Sequence, residues 1–358
     1  MGVDARAGSQ QENQISILQS QAKQNYIETA DNILTWQAEE GGWPKNVDTK
    51  NTAYADDVKK LHSTFDNGAT VGEMRFLAKA FAETGDKRYK QAFLRGFDYI
   101  LKAQYPCGGW PQSWPTKKDY TRHITFNDNV MVNVMRLLRD FSNLSDEKFI
   151  DKKRQAAGRE AFAKGIDCIL KCQIRVDGKL TVWCAQHDER DYSPQPGRSY
   201  ELVSLSGAES AGILKLLMSI KAPRPGVVEA IEGGVRWYDE AKIVGIREVK
   251  IEGDKKIIED ANAPVIWARF YEIGTNRPIF AGRDGEKKYR LEEIEAERRN
   301  AYAWYGEWGK GVLEEYGKLK QKVNSKEFRI EKLELTANCR LRIKRQRMEE
   351  RGQCSRLR

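Results

Sequence analysis

Residues Gly96–Gln104 read GFDYILKAQ and residues Gly165–Gln173 read GIDCILKCQ, identical at six of nine positions. A weaker copy, ADNILTWQ (Ala30–Gln37), keeps Asp31, Ile33, Leu34 and Gln37, and a faint fourth, GVRWYDEAKI, begins at Gly234. The aspartates Asp31, Asp98 and Asp167 step by 67 and 69 residues. A fixed period of this length points to a repeat architecture and outranks any local secondary-structure reading. After the first two copies the chain reads QAEEGGWPKN (Gln37–Asn46) and QYPCGGWPQS (Gln104–Ser113), and the third drifts to QIRVDGKLTVW (Gln173–Trp183). Gly-Gly breaks the helix, and the proline then biases the chain to extended backbone.

A second element follows each turn. TFDNGATVGEMRFL (Thr64–Leu77) matches TFNDNVMVNVMRLL (Thr125–Leu138) at Thr, Phe, Val, Met, Arg and Leu, while SLSGAESAGILKLL (Ser204–Leu217) keeps only the apolar spacing. Val71, Met74, Leu77, Ala78 and Phe81 predict a helix with one buried face. Each unit is therefore helix, Trp-bearing loop, helix. Stacking such pairs and closing the ring gives a mainly α fold, an (α/α)3 toroid with its loops gathered at common ends. From Ile243 to Arg290 the pattern alternates and turns at Gly253-Asp254, predicting a β-rich insertion that opens with a hairpin. The expected organisation is a flexible 1–13, one catalytic unit over 14–324 with its β-rich part at 243–290, and a basic tail over 325–358 outside the fold.

Composition narrows the classes. The chain has 358 residues, 40% of them hydrophobic and 32% charged. No run approaches the ~20 apolar residues a membrane helix needs. The net charge of +9 would suggest a polyanion such as nucleic acid. However, residues 325–358 hold 11 Lys/Arg against 5 Asp/Glu, a net +6, which leaves only +3 for the rest. That removes most of the support for nucleic acid. Six cysteines form no CxxC pair and no zinc spacing, and Cys168 and Cys172, four apart on a helix, read as buried small residues. The N-terminus shows no charged start followed by an apolar stretch, so no signal peptide is visible.

Two acids stand out, Asp66 in TFDN and Asp128 in FNDN, at equivalent helix starts with Asn67 and Asn127 beside them. Either could simply cap a helix. The pairing with asparagine instead suits a hard cation such as Ca²⁺, which takes carboxylate and amide oxygens. Arg198 follows Pro-Gly in RDYSPQPGRSYE and Arg283 sits between glycines in FAGRDGEK. Converging on the acids, they would make a receptor for carboxylates, to which Lys45 could add charge. Trp43 and Trp110 could be sugar platforms or could pack in the turns. His62, His123 and His187 are scattered and form no Ser-His-Asp arrangement.

Taken in order, WQAEEGGWPKNVD, TFDNGAT, FNDNVM, PGRSYEL and RDG resemble the pectate lyases of polysaccharide lyase family ten, over roughly residues 14–323. The resemblance implies the (α/α)3 toroid and Ca²⁺-dependent β-elimination of polygalacturonate. It implies Asp66 and Asp128 as the metal-site acids, Arg198 as base and Arg283 on a substrate carboxylate; from the residues themselves Asn67 joins the metal set, and Lys45, Asn67, Trp43 and Trp110 are candidates toward substrate. To be substantially neutral near pH 9 an arginine base would have to lie well below its ordinary pKa of up to ~13.8, and a neighbouring cation and guanidinium push that way, although a small deprotonated fraction can already react. The implied partner is an acidic polysaccharide, with no nucleic acid and no membrane, and the enzyme is expected to be a secreted or periplasmic monomer. Rival readings are a glycoside hydrolase using Asp66 and Asp128 as acid and base, a polysaccharide-binding module, and a triterpene cyclase sharing the Q-x-x-x-G-x-W repeat.

Overall fold

The computed structural model describes residues 21, 24–145 and 149–324; the expectations for residues 1–13 and 325–358 lie outside the described residues. The chain is mainly helical. Helix α1 spans residues 24–35. It is followed by α2 (Val71–Thr84), α3 (Lys87–Ala103), α4 (Val130–Ser142), α5 (Lys152–Cys172), α6 (Glu209–Met218), α7 (Pro225–Glu240), α8 (Ala296–Ala301) and α9 (Trp308–Asn324). Successive helices pack as pairs, α2 on α3, α4 on α5 and α6 on α7. The pairs then line up in two rows, α2–α4–α6 and α3–α5–α7, with α9 against α6 and α7.

The repeated residues are the joints between these pairs. Each repeat's tryptophan is buried and donates its indole N–H to a carbonyl ten or more residues back. Trp43 bonds Ile33 at 2.8 Å, Trp110 bonds Ile100 at 2.9 Å and Trp183 bonds Ile169 at 2.7 Å. Trp267 bonds Tyr238, the equivalent position in the faint fourth copy, at 2.9 Å. The glutamine tethers its own turn and the next outer helix: Gln37 Nε2 donates to Gly41 and Ala92, Gln104 to Gly108 and Ala161, and Gln173 to Thr181 and Ala230. The aspartate meets an arginine at the start of that same outer helix, in the pairs Asp31–Arg88, Asp98–Arg154 and Asp167–Arg224. The repeated glycine is steric: a Cβ on Gly96 would lie 2.8 Å from Met74 and 3.1 Å from Trp43, and one on Gly165 2.9 Å from Met135 and 3.1 Å from Trp110.

These joints correct one expectation. Trp43 and Trp110 are 0% exposed and spend their only polar atom on a carbonyl inside the repeat. With both faces in the core they cannot serve as sugar platforms, so the packing alternative is the right one. On α2, Val71, Met74 and Leu77 are buried as the periodicity requires, while Ala78 and Phe81 are half-buried. Cys168 and Cys172 are buried free thiols.

Residues 243–290 hold the antiparallel hairpin Ile246–Ile251 with Asp254–Glu259, turned at Glu252 and Gly253, both at positive φ. Short strands then stitch this part to the helical rows. Phe270–Tyr271 pairs with Leu205–Ser206, and Trp267–Ala268 with Tyr305–Gly306. A second small core of Tyr200, Phe270, Phe280, Ile294 and Trp304 forms there.

Candidate active site

The acids sit in two equivalent turns that pack on each other, Asp66–Gly68 and Asn127–Asn129. Their middle residues, Asn67 at φ 53° and Asp128 at φ 51°, are left-handed, a conformation that asparagine and aspartate tolerate better than other non-glycine residues. Neither Asp66 nor Asp128 caps the following helix; Asp86 and Asp151 do that for α3 and α5. The capping alternative therefore fails, and strained turns that offer acids to one place are what remains.

Backbone hydrogen bonds set the register of these turns. Thr64, Thr125 and Ser206 each donate to the carbonyl of their own repeat's tryptophan, Trp43, Trp110 and Trp183. The next residues, Phe65, Phe126 and Gly207, donate to the position two beyond the following tryptophan: Gln112, Ala185 and Arg269. Two residues further on come Asn67, Asp128 and Glu209. The third turn is two residues shorter, six from Thr64 to Thr70 but four from Ser206 to Ser210, where Thr70 and Ser210 each accept from a tryptophan N–H. An ungapped alignment hides Glu209 for that reason. The same register shows that Lys45, Gln112 and Arg269 are one repeated position, two after a tryptophan.

All three of those residues reach the acids. Lys45 Nζ and Gln112 Nε2, the latter at 2.6 Å, both donate to Asp66 Oδ2. Arg269 pairs with Glu209 and lies 3.9 Å from Asp128 Oδ1. Asn127 donates to Asp128 Oδ2 at 2.8 Å, while its own Oδ1 is buried without a partner. Asn67 is exposed and donates to Asn46 at 2.9 Å. Burial raises the Asp128 carboxyl, and the charges of Asp66 and Glu209 add to that against the opposing pull of Arg269 and Arg198. An oxygen-rich cluster with an orphaned amide oxygen and an under-neutralised acid is the donor set a hard cation takes. Asp66, Asp128 and the amide oxygens are thus residues that could hold Ca²⁺.

Arg198 shares the Tyr302 ring with Arg269, and its charge reaches Asp128. Its Nε and Nη2 bond the two oxygens of Glu201 at 3.0 and 2.5 Å, and its backbone N–H bonds Glu201 Oε2 at 3.0 Å. Burial pulls the guanidinium down, but the hydrogen bonds and charge of Glu201, with Tyr302 and Tyr200 adding, hold it above its ordinary value. Tyr302 also donates to Glu201 at 2.7 Å. Tyr200 and Tyr302 meet edge to face at 5.3 Å. Arg198, Arg283 and Arg298 lie 4.9, 5.7 and 4.3 Å from the Tyr200 ring, and Arg269 lies 4.6 Å from Tyr302. Arg283 is thereby gathered with Arg198, although it is exposed and paired with Glu297 at 3.1 Å.

Sequence reading missed Arg269, Glu209, Glu201, Gln112 and Tyr302. The first two and Gln112 were findable from the repeat once the fourth tryptophan and the shortened third turn are allowed for. Glu201 and Tyr302 depend on the β-rich part folding back, for which the sequence carries no register signal. Elsewhere among the described residues, His123, Asp188 and Glu189 bring one ligand atom each within 4.8 Å of the others. That spacing suits a metal ion, although Arg122 lies 3.7 Å from both carboxylates.

An acid cluster with arginines gathered around Tyr200 and Tyr302 beside it can bind carboxylated ligands. The comparisons with known proteins agree. The sequence model of the family described as Pectic acid lyase matches residues 37–313. A family 10 polysaccharide lyase from Cellvibrio cellulosa superimposes with a TM-score of 0.76 at 35% identity, over 82% of this chain and 91% of that one. An aspartate-to-alanine variant of a Cellvibrio cellulosa family 10 lyase, in complex with trigalacturonic acid, gives 0.75 and 34% over 83% and 92%. No match to a curated protein sequence was found. The chain belongs to the pectic acid lyase family and is a polysaccharide lyase, an enzyme of the pectate lyase type.

Proposed function

We propose that this lyase cleaves α-1,4-polygalacturonate by Ca²⁺-dependent β-elimination, leaving 4,5-unsaturated oligogalacturonides. The observation that supports the reading is the link from the acid turns to Arg198 through Arg269, which lies 3.9 Å from Asp128 and shares the Tyr302 ring with Arg198. β-Elimination removes the C5 proton beside a uronate carboxylate and expels the sugar linked at O4. The obstacle is charge, since an anion must take on enolate character. Bound Ca²⁺ would supply a Lewis acid to that carboxylate, and Asp66 and Asp128, with the Asn67 and Asn127 amides, are the residues that would hold it.

The chain's own groups cover the remaining requirements. Arg283 and Arg269 are fixed donors for carboxylate oxygens, and Lys45 stands beside Asp66. Arg198 is the base. Glu201 grips its Nε–Nη2 edge and leaves Nη1 without a hydrogen bond among the described residues, so one nitrogen remains for the C5 proton. A small deprotonated fraction is enough to react. The order of the helix rows supports closure into the (α/α)3 toroid. The relative's complex with trigalacturonic acid supports an acidic polysaccharide as partner. A secreted or periplasmic monomer fits a polymeric substrate, and among the described residues no helix is long and apolar enough to cross a membrane.

The test is the near-ultraviolet absorbance of the unsaturated uronide on polygalacturonate, with and without chelator. Chain cleavage without that absorbance would mean hydrolysis and would overturn the proposal.

A further inference from the structure

From Asp66 a groove of about 490 Å³ runs outward along the first two repeats, within the ~300–1,000 Å³ of ligand sites. Its inner end belongs to the site, because Lys45 and Gln112 line it and both bond Asp66. Tyr120, also on its wall, senses the charges of Arg198 and Asp66. Further out the lining turns aromatic, with Trp36, Tyr54 and Trp114. Trp36 and Tyr54 are tilted rings 4.7 Å apart, and Lys102 sits over the Trp114 ring at 4.6 Å. Unlike Trp43 and Trp110, all three are only partly buried.

The charge of this groove is the informative part. Three lysines line it, but Lys45 is paired with Asp66 and Lys60 with Asp56. Glu40 and Asp119 stand in the same wall as Lys117. With Asp66 and Asp56 on two of the lysines, and Lys102 over Trp114 counted as well, carboxylates and ammonium groups are even at four each along it, in contrast to the arginines around Tyr200 and Tyr302. A row of uronates would gain little from such a wall by charge. The apolar faces of pyranose rings would gain from the aromatics, which offer rigid, amphipathic surface.

We infer that this groove carries the polysaccharide beyond the scissile linkage, holding at least one further galacturonate ring by contact with Trp36, Tyr54 and Trp114, and that it accepts methyl-esterified units there. The inference rests on the proposed lyase reading and adds a division of labour to it. Carboxylate recognition is confined to the acid–arginine site, and ring recognition is spread along the groove.

The full chain is tested with oligogalacturonates of three to six units, and with hexamers esterified either at a terminal unit or at central units. In wild type, kcat/KM is expected to rise about tenfold or more from trimer to hexamer, the size of one good aromatic contact. Trp114→Ala and Trp36→Ala should each reduce the hexamer-to-trimer ratio severalfold, and Trp114→Phe should restore part of it. Esters at the terminal unit that enters the groove should change kcat/KM less than threefold, whereas esters at central units should abolish cleavage. A flat length dependence in wild type, or tryptophan variants that keep the full ratio, would overturn the groove. An equal penalty for terminal and central esters would overturn the ester tolerance. Calorimetric binding of the same hexamers is measured in parallel. If no oligomer is cleaved, the lyase reading fails, and the groove is then judged by whether Trp114→Ala weakens hexamer binding.

Discussion

Glu201 holds Arg198 in a bidentate clamp while its own side chain is 1% exposed and takes a further bond from Tyr302. The clamp fixes the guanidinium's plane and keeps it charged, so position is gained at the cost of the deprotonated fraction. If Arg198 removes the C5 proton, its reactive fraction grows tenfold per pH unit below its pKa, and activity should climb from neutral toward roughly pH 9–10. Arg198→Ala should be nearly inactive at every pH. Arg198→Lys should also be poor, because an ammonium has no planar fork to keep the clamp. Glu201→Gln is the sharper probe. Removing the carboxylate charge lowers the Arg198 pKa, so the rising limb of the pH–rate profile should move to lower pH even if the maximum rate falls. A limb that stays in place would identify another group as the base.

Asp128 pairs a cost in stability with a gain in binding. Its carboxyl is raised by burial and by the charges of Asp66 and Glu209. A raised acid destabilises the fold at pH values above its folded pKa, and the penalty disappears as pH falls below the unfolded value. Asp128→Asn should therefore melt at or above the wild-type temperature at pH 7 without metal. The same variant should lose on the order of 10² in kcat or more, the scale for losing transition-state charge stabilisation. Chelator should abolish wild-type activity, and added Ca²⁺ should restore it and raise Tm. Asp128→Asn should show a much smaller Ca²⁺-induced rise, and equal shifts in both proteins would remove Asp128 from the metal site.

The repeat tryptophans should report on stability and leave recognition alone. Trp110→Ala opens a cavity between α3 and α5 and removes the bond to Ile100, so a loss of about 3–5 kcal/mol is expected from urea unfolding. Trp110→Phe keeps most of the volume and should lose less. Neither substitution should weaken oligogalacturonate binding by the folded fraction more than about twofold. A Trp110→Phe protein of near-native stability that binds tenfold more weakly would return Trp110 to the substrate.

Much of this architecture was readable because the repeat writes its joints as side chains. Trp, Gln, Asp and Gly recur at one period, and each makes the same contact in successive copies. Asp66, Asp128 and Lys45 were legible for the same reason, since they hold repeated places in repeated turns. The reading failed where the repeat becomes irregular. Glu209 lies in a turn shortened by two residues, and Arg269 follows a tryptophan displaced by the hairpin. Glu201 and Tyr302 meet across 101 residues, through short strands of two residues whose pairing no local pattern specifies. Trp43 and Trp110 stay open between core and substrate in the sequence for a different reason: a tryptophan after Gly-Gly in a loop looks the same whether it faces water or core.

His187 gives the last prediction, which concerns acid. It is fully buried on the strand Gln186–His187, between the strand Ile124–Thr125 that leads to Asp128 and the strand Pro194–Gln195 that leads to Arg198. Its Nε2 accepts the Cys184 N–H at 3.1 Å, so the ring proton sits on Nδ1 and is donated to the Tyr192 carbonyl at 2.8 Å. Protonation would set an N–H against the Cys184 N–H, and burial lowers the pKa from 6.5 to about 4. A base lowered in the folded state is protonated first in the unfolded chain. Stability is therefore complete above pH 6.5, falls as pH drops toward 4, and changes little below that on this account. The span corresponds to about 3 kcal/mol at 1.36 kcal/mol per pKa unit. Asp128, whose carboxyl is raised, works the opposite way as pH falls, so the measurement is a difference between proteins. Urea unfolding at pH 7, 6, 5 and 4 should show a clearly shallower acid decline in His187→Gln, whose amide can still donate and accept. The variant should also retain more activity after holding at pH 4.5 and return to alkaline assay conditions. Identical declines in the two proteins would show that His187 takes up its proton equally in the folded and unfolded states, and that its buried ring does not set the acid limit of the site.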